Sequence, residues 1–218
     1  MPRPADETDA SPQTAPPRDY GSIAPTIGEG RHDLTADTGE VSEIEMEIGF
    51  GRGMFLFQRA EAAPTHRVIG FEIKKKWAYL VAERLAARGL DNARAFGGDI
   101  REILPRLHPD GGVARVFMHF PDPWWKKRHA KRRLLGDELL GELARLLRPG
   151  GEFFIQTDVE ERAQGFVEAL AQHPAFELAE GGGYLEDNPY GAVSNRERRA
   201  IEDGLPIYRV LARRAPVA

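Results

Sequence analysis

The stretch EIEMEIGFGRGMFLFQRAEA, residues 43–62, decides how the first half of this chain folds. Apolar Ile44, Met46 and Ile48 alternate with glutamates, which is the two-residue period of a β-strand. The glycine loop GFGRG, residues 49–53, comes next, and apolar residues at helical spacing continue to the end of the stretch. A strand, a glycine loop and a helix in this order predict the opening unit of a parallel α/β sheet.

The same alternation of strand and helix continues along the chain. Further strands are predicted at residues 67–71, 93–96, 113–120 and 152–156. Helices are predicted at residues 54–62, 75–88, 100–107, 134–147 and 159–172, and residues 176–211 predict two strands around a polar loop. The strand at 113–120 is the most apolar, so we expect it near the centre of the sheet. The predicted fold class is α/β: a doubly wound, mostly parallel, Rossmann-like sheet with helices on both faces.

Length and composition set the domain organisation. The 218 residues suit one full-sized domain, placed at 41–218, after an N-terminal tail at 1–40. The tail is expected to be largely disordered at least to about residue 20, because prolines and small polar side chains cannot offset the entropy of ordering. The absence of cysteine excludes disulfides and thiolate metal sites. No apolar run is long enough to span a membrane, so we expect a cytoplasmic protein with no membrane partner.

Acidic residues are predicted at or just past the carboxyl ends of five strands: Glu47, Glu72, Asp99, Asp122 and Asp158. Ligands of doubly wound sheets bind beyond these ends. The glycine loop, with Gly49 and Gly51, allows close backbone approach, but its spacing differs from the dinucleotide fingerprint G-x-G-x-x-G. The carboxylate of Glu47 would repel a pyrophosphate and attract an ammonium. This combination favours S-adenosylmethionine over a nicotinamide dinucleotide.

Two of these acids have further expected roles. Glu72, 19 residues after Gly53, can accept hydrogen bonds from ribose hydroxyls, and Asp99 can accept from an adenine amino group. The alternative for each acid is a solvated loop residue or a helix cap. Glu45 shares a face with Glu47 but lies in mid-strand, so we interpret it as structural or exposed.

The stretch FPDPWWKKRHAKRR, residues 120–133, combines a restrained acid, two tryptophans and a basic run. Prolines on both sides of Asp122 stiffen the backbone, which suits a carboxylate at the reactive end of a cofactor. The net charge of −4 means that nucleic-acid binding must depend on a local patch, and the run at 126–133 indicates phosphate contact rather than only a solvated helix face. Trp124 and Trp125 could stack on a base or pack in the core. His129 has no partner at metal-ligand spacing, so no metal is expected.

These stretches resemble the bacterial tRNA (guanine-N7-)-methyltransferase family, which belongs to the class I S-adenosylmethionine-dependent methyltransferases. The similar segments are EIGFGRG at 47–53, GFEIKKKWA at 70–78, FPDPWWKKRHAKRRLL at 120–135, the pair Thr157-Asp158, and SNRERRAIEDGLPIY at 194–208. The FPDPW-containing string is highly specific, whereas the glycine loop is shared by many methyltransferases. The resemblance covers roughly residues 41–211.

The resemblance implies transfer of a methyl group from S-adenosylmethionine to the N7 atom of a guanine in the variable-loop region of tRNA. It implies that Glu47, Glu72, Asp99 and Asp122 bind the cofactor, and that Asp122 is also catalytic. The implied tRNA-contacting residues are Lys126, Asp158, Ser194, Asn195, Arg196 and Glu197. Arg196 departs from the family pattern, which has an aromatic residue there, and the N-terminal region is less basic than is usual.

Other functions remain open at this point. A methyltransferase acting on a protein or small molecule would explain the glycine loop and acids but not the basic run. A non-catalytic RNA-binding module on a methyltransferase scaffold is a second alternative, and a dehydrogenase ranks last. The choice of tRNA is left open by the sequence, as is the oligomeric state, a monomer or a homodimer.

Overall fold

The structure, a computed structural model, describes residues 18–36, 41–121 and 135–216. The strands are β1 (His32–Asp33), β2 (Glu43–Ile48), β3 (His66–Glu72), β4 (Ala93–Gly97), β5 (Leu107–His108), β6 (Val113–His119), β7 (Leu147–Thr157), β8 (Phe176–Leu178), β9 (Tyr184–Leu185) and β10 (Tyr208–Arg214). The helices are α1 (Tyr20–Ile23), α2 (Met54–Ala62), α3 (Lys75–Ala87), α4 (Ile100–Ile103), α5 (Asp137–Leu146), α6 (Glu160–Gln172) and α7 (Asn195–Glu202), and a 3₁₀ turn spans Leu104–Arg106.

The main sheet has the strand order β4-β3-β2-β6-β7-β10-β8, and β9 pairs with β10. Strands β4, β3, β2, β6 and β7 are parallel, whereas β10 runs antiparallel to β7, β8 and β9. The order reverses at β2, because β3 and β4 lie on one side of it and β6 and β7 on the other. This topology confirms the predicted mostly parallel, doubly wound sheet, with β6 near its centre.

Both faces of the sheet are buried. Ile44, Met46 and Ile48 of β2 belong to the largest apolar cluster. On the opposite face, the aromatic side chains of Phe117 and Phe154 pack with neighbouring apolar residues in a separate cluster. Residues 44–48 of β2 therefore lie inside the protein, and Glu45 and Glu47 are buried with them, whereas Glu43 is half-buried. A buried carboxylate needs partners, which makes the surroundings of each glutamate informative.

Several element boundaries differ from the sequence prediction. Strand β7 begins at Leu147, five residues before the predicted start. A bulge between residues 147 and 152 takes up the exposed residues 148–150 and the buried Gly151 within the strand. The predicted helix at 100–107 is only the short α4 and a 3₁₀ turn. The predicted helix at 134–147 begins at Asp137 within the described residues. The C-terminal region was predicted as two strands around a polar loop; instead it contains β8, β9 and β10, and the polar loop contains helix α7.

The N-terminal segment 18–36 packs against helix α3. The rings of Tyr20 and Tyr79 are 5.6 Å apart, and Lys75 Nζ donates to the carbonyl of Gly21 at 3.2 Å. The expected disordered tail falls largely on residues 1–17, outside the described residues. Across the described ranges, no helix combines the length and the apolarity needed to cross a membrane.

Candidate cofactor and substrate site

The carboxyl ends of the parallel strands place four of the five predicted acids along one edge of the sheet. Glu47 is the penultimate residue of β2 and Glu72 is the last residue of β3. Asp99 follows β4, and Asp158 comes directly after β7. The predicted catalytic residue Asp122 and the predicted tRNA contact Lys126 lie outside the described residues, as do both tryptophans of that stretch. The chain enters that stretch from β6, which ends between β2 and β7.

The glycine loop holds the carboxylate of Glu72 in place. Gly49, Gly51 and Gly53 have φ angles of 78°, 55° and 79°, the left-handed region that favours glycine. The N–H of Gly51 donates to Glu72 Oε2 at 2.9 Å, and the N–H of Lys74 donates to Oε1 at 2.9 Å. The loop after β2 and the acid that ends β3 therefore form one rigid corner of the site.

Glu47 lies beside this corner and is only 1% exposed. Its Oε1 accepts from Nδ1 of His119, the last residue of β6, at 3.1 Å. Its Oε2 is buried and has no hydrogen-bond partner in the described structure. A buried carboxylate oxygen without a donor is costly unless a ligand supplies one. The site thus offers an acceptor for a cationic donor such as an ammonium.

The segment that the sequence placed on the substrate side is anchored by Glu197. Its carboxylate accepts from Gln156 Nε2 at 2.8 Å, from Asn188 Nδ2 and from Arg209, and the residue is 0% exposed. Ser194 caps α7, since its hydroxyl accepts from the N–H of Glu197 at 3.1 Å. Glu197 therefore faces the interior of the protein rather than open solvent.

The other predicted residues of this segment lie close to Asp158. Arg196 forms an ion pair with the carboxylate of Asp158, which joins the start of α7 to the end of β7. Asn195 is half-buried, and its Oδ1 has no partner among the described atoms. The structure thus brings Asp158, Ser194, Asn195, Arg196 and Glu197 together at one end of the sheet.

Asp99 caps the amino end of helix α4, which is one of the alternatives that the sequence analysis left open. Its carboxylate accepts from the N–H of Arg101 at 3.0 Å and forms an ion pair with the Arg101 side chain. The hydrogen bonds from Arg101 hold the pKa of Asp99 below its ordinary value. A capping carboxylate retains free lone pairs, so the cap and a contact with an adenine amino group are compatible.

Glu45 is structural and buried, and the option that it is exposed is wrong. Its two oxygens accept from Nε and a terminal nitrogen of Arg59, both at 2.7 Å, from His66 Nδ1 at 2.9 Å and from Arg115 at 2.9 Å. Glu43, Glu45 and His66 have ligand-type atoms within 4.8 Å of one another. Because arginines already neutralise both carboxylates, we interpret this group as a salt-bridge network rather than an ion site.

His119 and Gln156 are site residues that the sequence analysis missed. They are register partners on β6 and β7, and both are buried. His119 Nε2 and Gln156 Oε1 have no partner among the described atoms, so a polar row crosses the sheet from Glu47 to Glu197. A polar residue at the end of the most apolar strand was the available signal for His119.

Fold and site together define a Rossmann-like methyltransferase. The chain matches a family described as "Putative methyltransferase" over residues 42–210. It also shares the fold of the antibiotic-resistance methyltransferase Kmr, with a TM-score of 0.58 at 19% identity over 85% of this chain and 92% of that one.

Relatives with higher sequence identity identify the family more specifically. The tRNA (guanine-N(7)-)-methyltransferase of Synechococcus sp. (strain JA-3-3Ab) is 40% identical over 169 residues, which cover 76% of this chain and 70% of that protein. The protein of the same name from Anaeromyxobacter dehalogenans (strain 2CP-C) is 38% identical over 188 residues, which cover 86% and 94%. The chain belongs to the tRNA (guanine-N(7)-)-methyltransferase family, and its methyl donor is S-adenosylmethionine.

The residues present fit that donor. S-adenosylmethionine carries an ammonium, ribose hydroxyls and an adenine amino group. The unpartnered oxygen of Glu47 suits the ammonium, and the carboxylate of Glu72 keeps lone pairs beyond those used by the two backbone N–H groups.

Proposed function

We propose that the protein methylates the N7 atom of a guanine in the variable-loop region of tRNA. The observation that carries the proposal is the 38% identity to a relative of that name over 94% of the relative's length. The acids along the carboxyl edge of the sheet support it from the structural side. The basic run at 126–133 supports a nucleic-acid substrate rather than a protein or small molecule.

On the cofactor side, three carboxylates each bind a different group of S-adenosylmethionine. Glu47 holds the ammonium, Glu72 holds the ribose hydroxyls and Asp99 accepts from the adenine amino group. S-adenosylmethionine supplies a methyl group made electrophilic by its sulfonium. His119 orients Glu47 through the hydrogen bond at 3.1 Å, and Gly51 orients Glu72.

On the substrate side, Asp122 aligns the guanine. The N7 atom carries an in-plane lone pair and no proton, so its alkylation depends on alignment and on exclusion of water rather than on a strong base. The N1–H and amino group of guanine are donors that a carboxylate can hold. The prolines at 121 and 123 limit the backbone angles available to the segment that carries Asp122.

Two groups of residues hold the tRNA. Lys126 and the rest of the basic run contact phosphates, and Asp158, Asn195 and Arg196 form a wall of the substrate site. Glu197, whose carboxylate is engaged internally, positions this wall together with the capping hydroxyl of Ser194. A guanine that leaves its stack can reach a pocket of this kind.

Incubation of bulk unmodified tRNA with methyl-labelled S-adenosylmethionine, followed by nucleoside analysis, tests the proposal. We expect the label in 7-methylguanosine. Label in any other nucleoside, or labelled protein in place of tRNA, would overturn it. Rising salt should weaken tRNA binding steeply, whereas binding of a small-molecule substrate would change little.

The Asp122→Asn variant tests the catalytic assignment. We expect methyl transfer to fall by about a thousandfold, because the aligning carboxylate is lost, while cofactor affinity stays within a few-fold. Asp137→Asn, an exposed acid in the first turn of α5, is the matched control and should keep near-normal turnover. Single-turnover labelling with saturating tRNA measures the methyl-transfer rate of both variants. A near-normal rate for Asp122→Asn would contradict the catalytic role of Asp122.

A further inference from the structure

Lysine is confined to two places in this chain. All six lysines lie at positions 74–76 and at 126, 127 and 131, although the chain has 30 lysines and arginines in total. The second group belongs to the basic run for which phosphate contact is proposed above. The first group lies within the segment IKKKWA, and its side chains have no part in the mechanism described so far. With Arg52 of the glycine loop, we call the lysines at 74–76 the cofactor-side patch.

The patch lies at the edge of the sheet from which the chain continues toward the basic run. Strand β3 leads into the patch and β6 leads into the run, and β2 lies between them. Parallel strands that are two positions apart in a sheet are separated by roughly 10 Å. Arg52 connects the patch to the glycine loop, since its guanidinium carbon is 5.3 Å from the centre of the Trp77 ring and Lys76 Nζ is 5.8 Å from that ring.

The cations of the patch lack carboxylate partners within the part of the chain that the structure describes. Lys74, Lys75, Lys76 and Arg52 are all exposed, and none forms an ion pair with a carboxylate of the described residues. Lys75 donates only to a backbone carbonyl. Elsewhere in this acidic protein many arginines are neutralised, for example in the pairs Arg101–Asp99, Arg145–Glu142 and Arg213–Glu152. Positive charge is therefore left available beside the cofactor corner.

The stability of helix α3 does not account for these lysines. The amino end of a helix favours acidic side chains, because the helix dipole is positive there. Helices α5, α6 and α7 follow this rule, with Asp137, Glu160 and Glu197 in their first turns. Helix α3 has no acid in its first turn and begins with consecutive lysines instead. Cations placed against the dipole indicate a role in binding an anion.

We propose that the cofactor-side patch binds the sugar–phosphate backbone of the tRNA whose guanine enters the site. This inference rests on the proposed function. Lysines act as flexible point charges toward phosphates and need no fixed geometry, which suits an exposed row. The half-buried Trp77 ring contacts the cations of both Arg52 and Lys76. Phosphates would then be held on both flanks of the glycine loop.

A pair of double variants on one helix tests the patch. Lys74→Gln/Lys76→Gln removes two charges at the start of α3, and Arg84→Gln/Arg88→Gln removes two exposed charges at its end. We expect the lysine variant to raise the KM for tRNA about five- to tenfold and to lower the slope of log affinity against log salt by about 1 per lysine. Its S-adenosylmethionine affinity should be unchanged, and its melting temperature equal to or above that of the wild type.

The outcomes separate the patch from the proposed function. One outcome is that the wild-type protein labels the N7 atom of guanine in tRNA while both double variants keep the wild-type KM for tRNA and salt slope. In that case the proposed tRNA-binding role of the patch is wrong and the proposed function stands. An equal loss of tRNA affinity in both variants would mean that only the overall charge of the protein matters. This result would also contradict the tRNA-binding role of the patch. A loss of cofactor affinity in the lysine variant would assign the lysines to the cofactor pocket instead. If the wild type labels no tRNA, the proposed function itself fails.

Discussion

Glu45 and Glu47 lie two residues apart on the same face of β2, both fully buried, yet their surroundings are opposite. Glu45 accepts from two arginines and a histidine at 2.7–2.9 Å, so every oxygen is occupied. Glu47 accepts from one histidine at 3.1 Å, and its other oxygen has no partner. A saturated buried acid stabilises the fold, whereas an unsaturated one is left for a ligand. Burial alone would not have distinguished the two.

The largest effect is expected from Glu45→Gln. Loss of this charge leaves the guanidinium groups of Arg59 and Arg115 without their shared carboxylate, which should lower the free energy of unfolding by about 3 kcal/mol. S-adenosylmethionine affinity at a temperature where the variant is folded should change less than threefold. Denaturant unfolding and calorimetric titration measure these two quantities. Glu61→Gln, which breaks the exposed pair with Arg88, is the control and should cost about 0.5 kcal/mol or less.

Glu47→Gln should show the reverse pattern. Removal of the charge that faces the ammonium is expected to weaken S-adenosylmethionine binding about 100-fold, which corresponds to about 2.7 kcal/mol. The melting temperature should stay within a few degrees of the wild type, because His119 is the partner of Glu47 and no arginine or lysine of the described residues pairs with it. A variant that unfolds early but binds the cofactor normally would mean that Glu47 and Glu45 have the same structural role.

His119 offers a smaller and more selective test. His119→Leu removes the donor to Glu47 and is expected to raise the KM for S-adenosylmethionine about tenfold with little change in kcat, as a positioning residue should. His119→Asn keeps a side-chain N–H and should restore most of the affinity. The matched control His66→Leu removes the histidine that donates to Glu45 and should reduce stability only. Equal cofactor KM in the leucine and asparagine variants would contradict the positioning role.

The pH dependence of stability gives the smallest expected effect. Burial tends to raise the pKa of Glu45, but the hydrogen bonds from Arg59 and His66 outweigh it, and the pKa lies below the ordinary 4.5. A depressed folded pKa adds stability that is complete above about pH 4.5 and is lost as pH falls through the folded pKa. The wild type should therefore lose stability more steeply below pH 4.5 than Glu45→Gln, by about 1 kcal/mol. Urea unfolding at a series of acid pH values measures this difference. If the free energy of unfolding falls equally steeply with pH in the wild type and in Glu45→Gln, Glu45 does not contribute to the pH dependence.

Much of the cofactor half was predictable because its signals are local. The alternation of β2, the glycine loop and the start of α2 at Met54 all appear within one stretch of 20 residues, and helix α2 ends at the predicted Ala62. Glycines with positive φ can be expected where a strand must turn sharply into a helix. The acids that end β2 and β3 follow from counting strands, since parallel strands present their carboxyl ends at one edge.

The substrate half was less predictable because its contacts connect distant parts of the chain. Helix α7 is short and strongly polar, so no apolar period marked it, and the capping hydroxyl of Ser194 was its only local signal. Glu197 is buried because Gln156, Asn188 and Arg209 converge on it, and none of these is its helical neighbour. A bulge likewise extended β7 through a segment whose composition indicates a turn.

The sequence by itself determined the class of fold, the glycine loop, the row of acids at strand ends and the family to which the chain belongs. Only the tertiary structure decided which buried glutamate has both oxygens occupied by protein donors and which keeps an oxygen without a partner among the described atoms. The partners that saturate Glu45 lie 14, 21 and 70 residues away, and His119 lies 72 residues from Glu47. The availability of a buried charge depends on the donors that folding brings to it, and these donors cannot be read from the residues beside it in the chain.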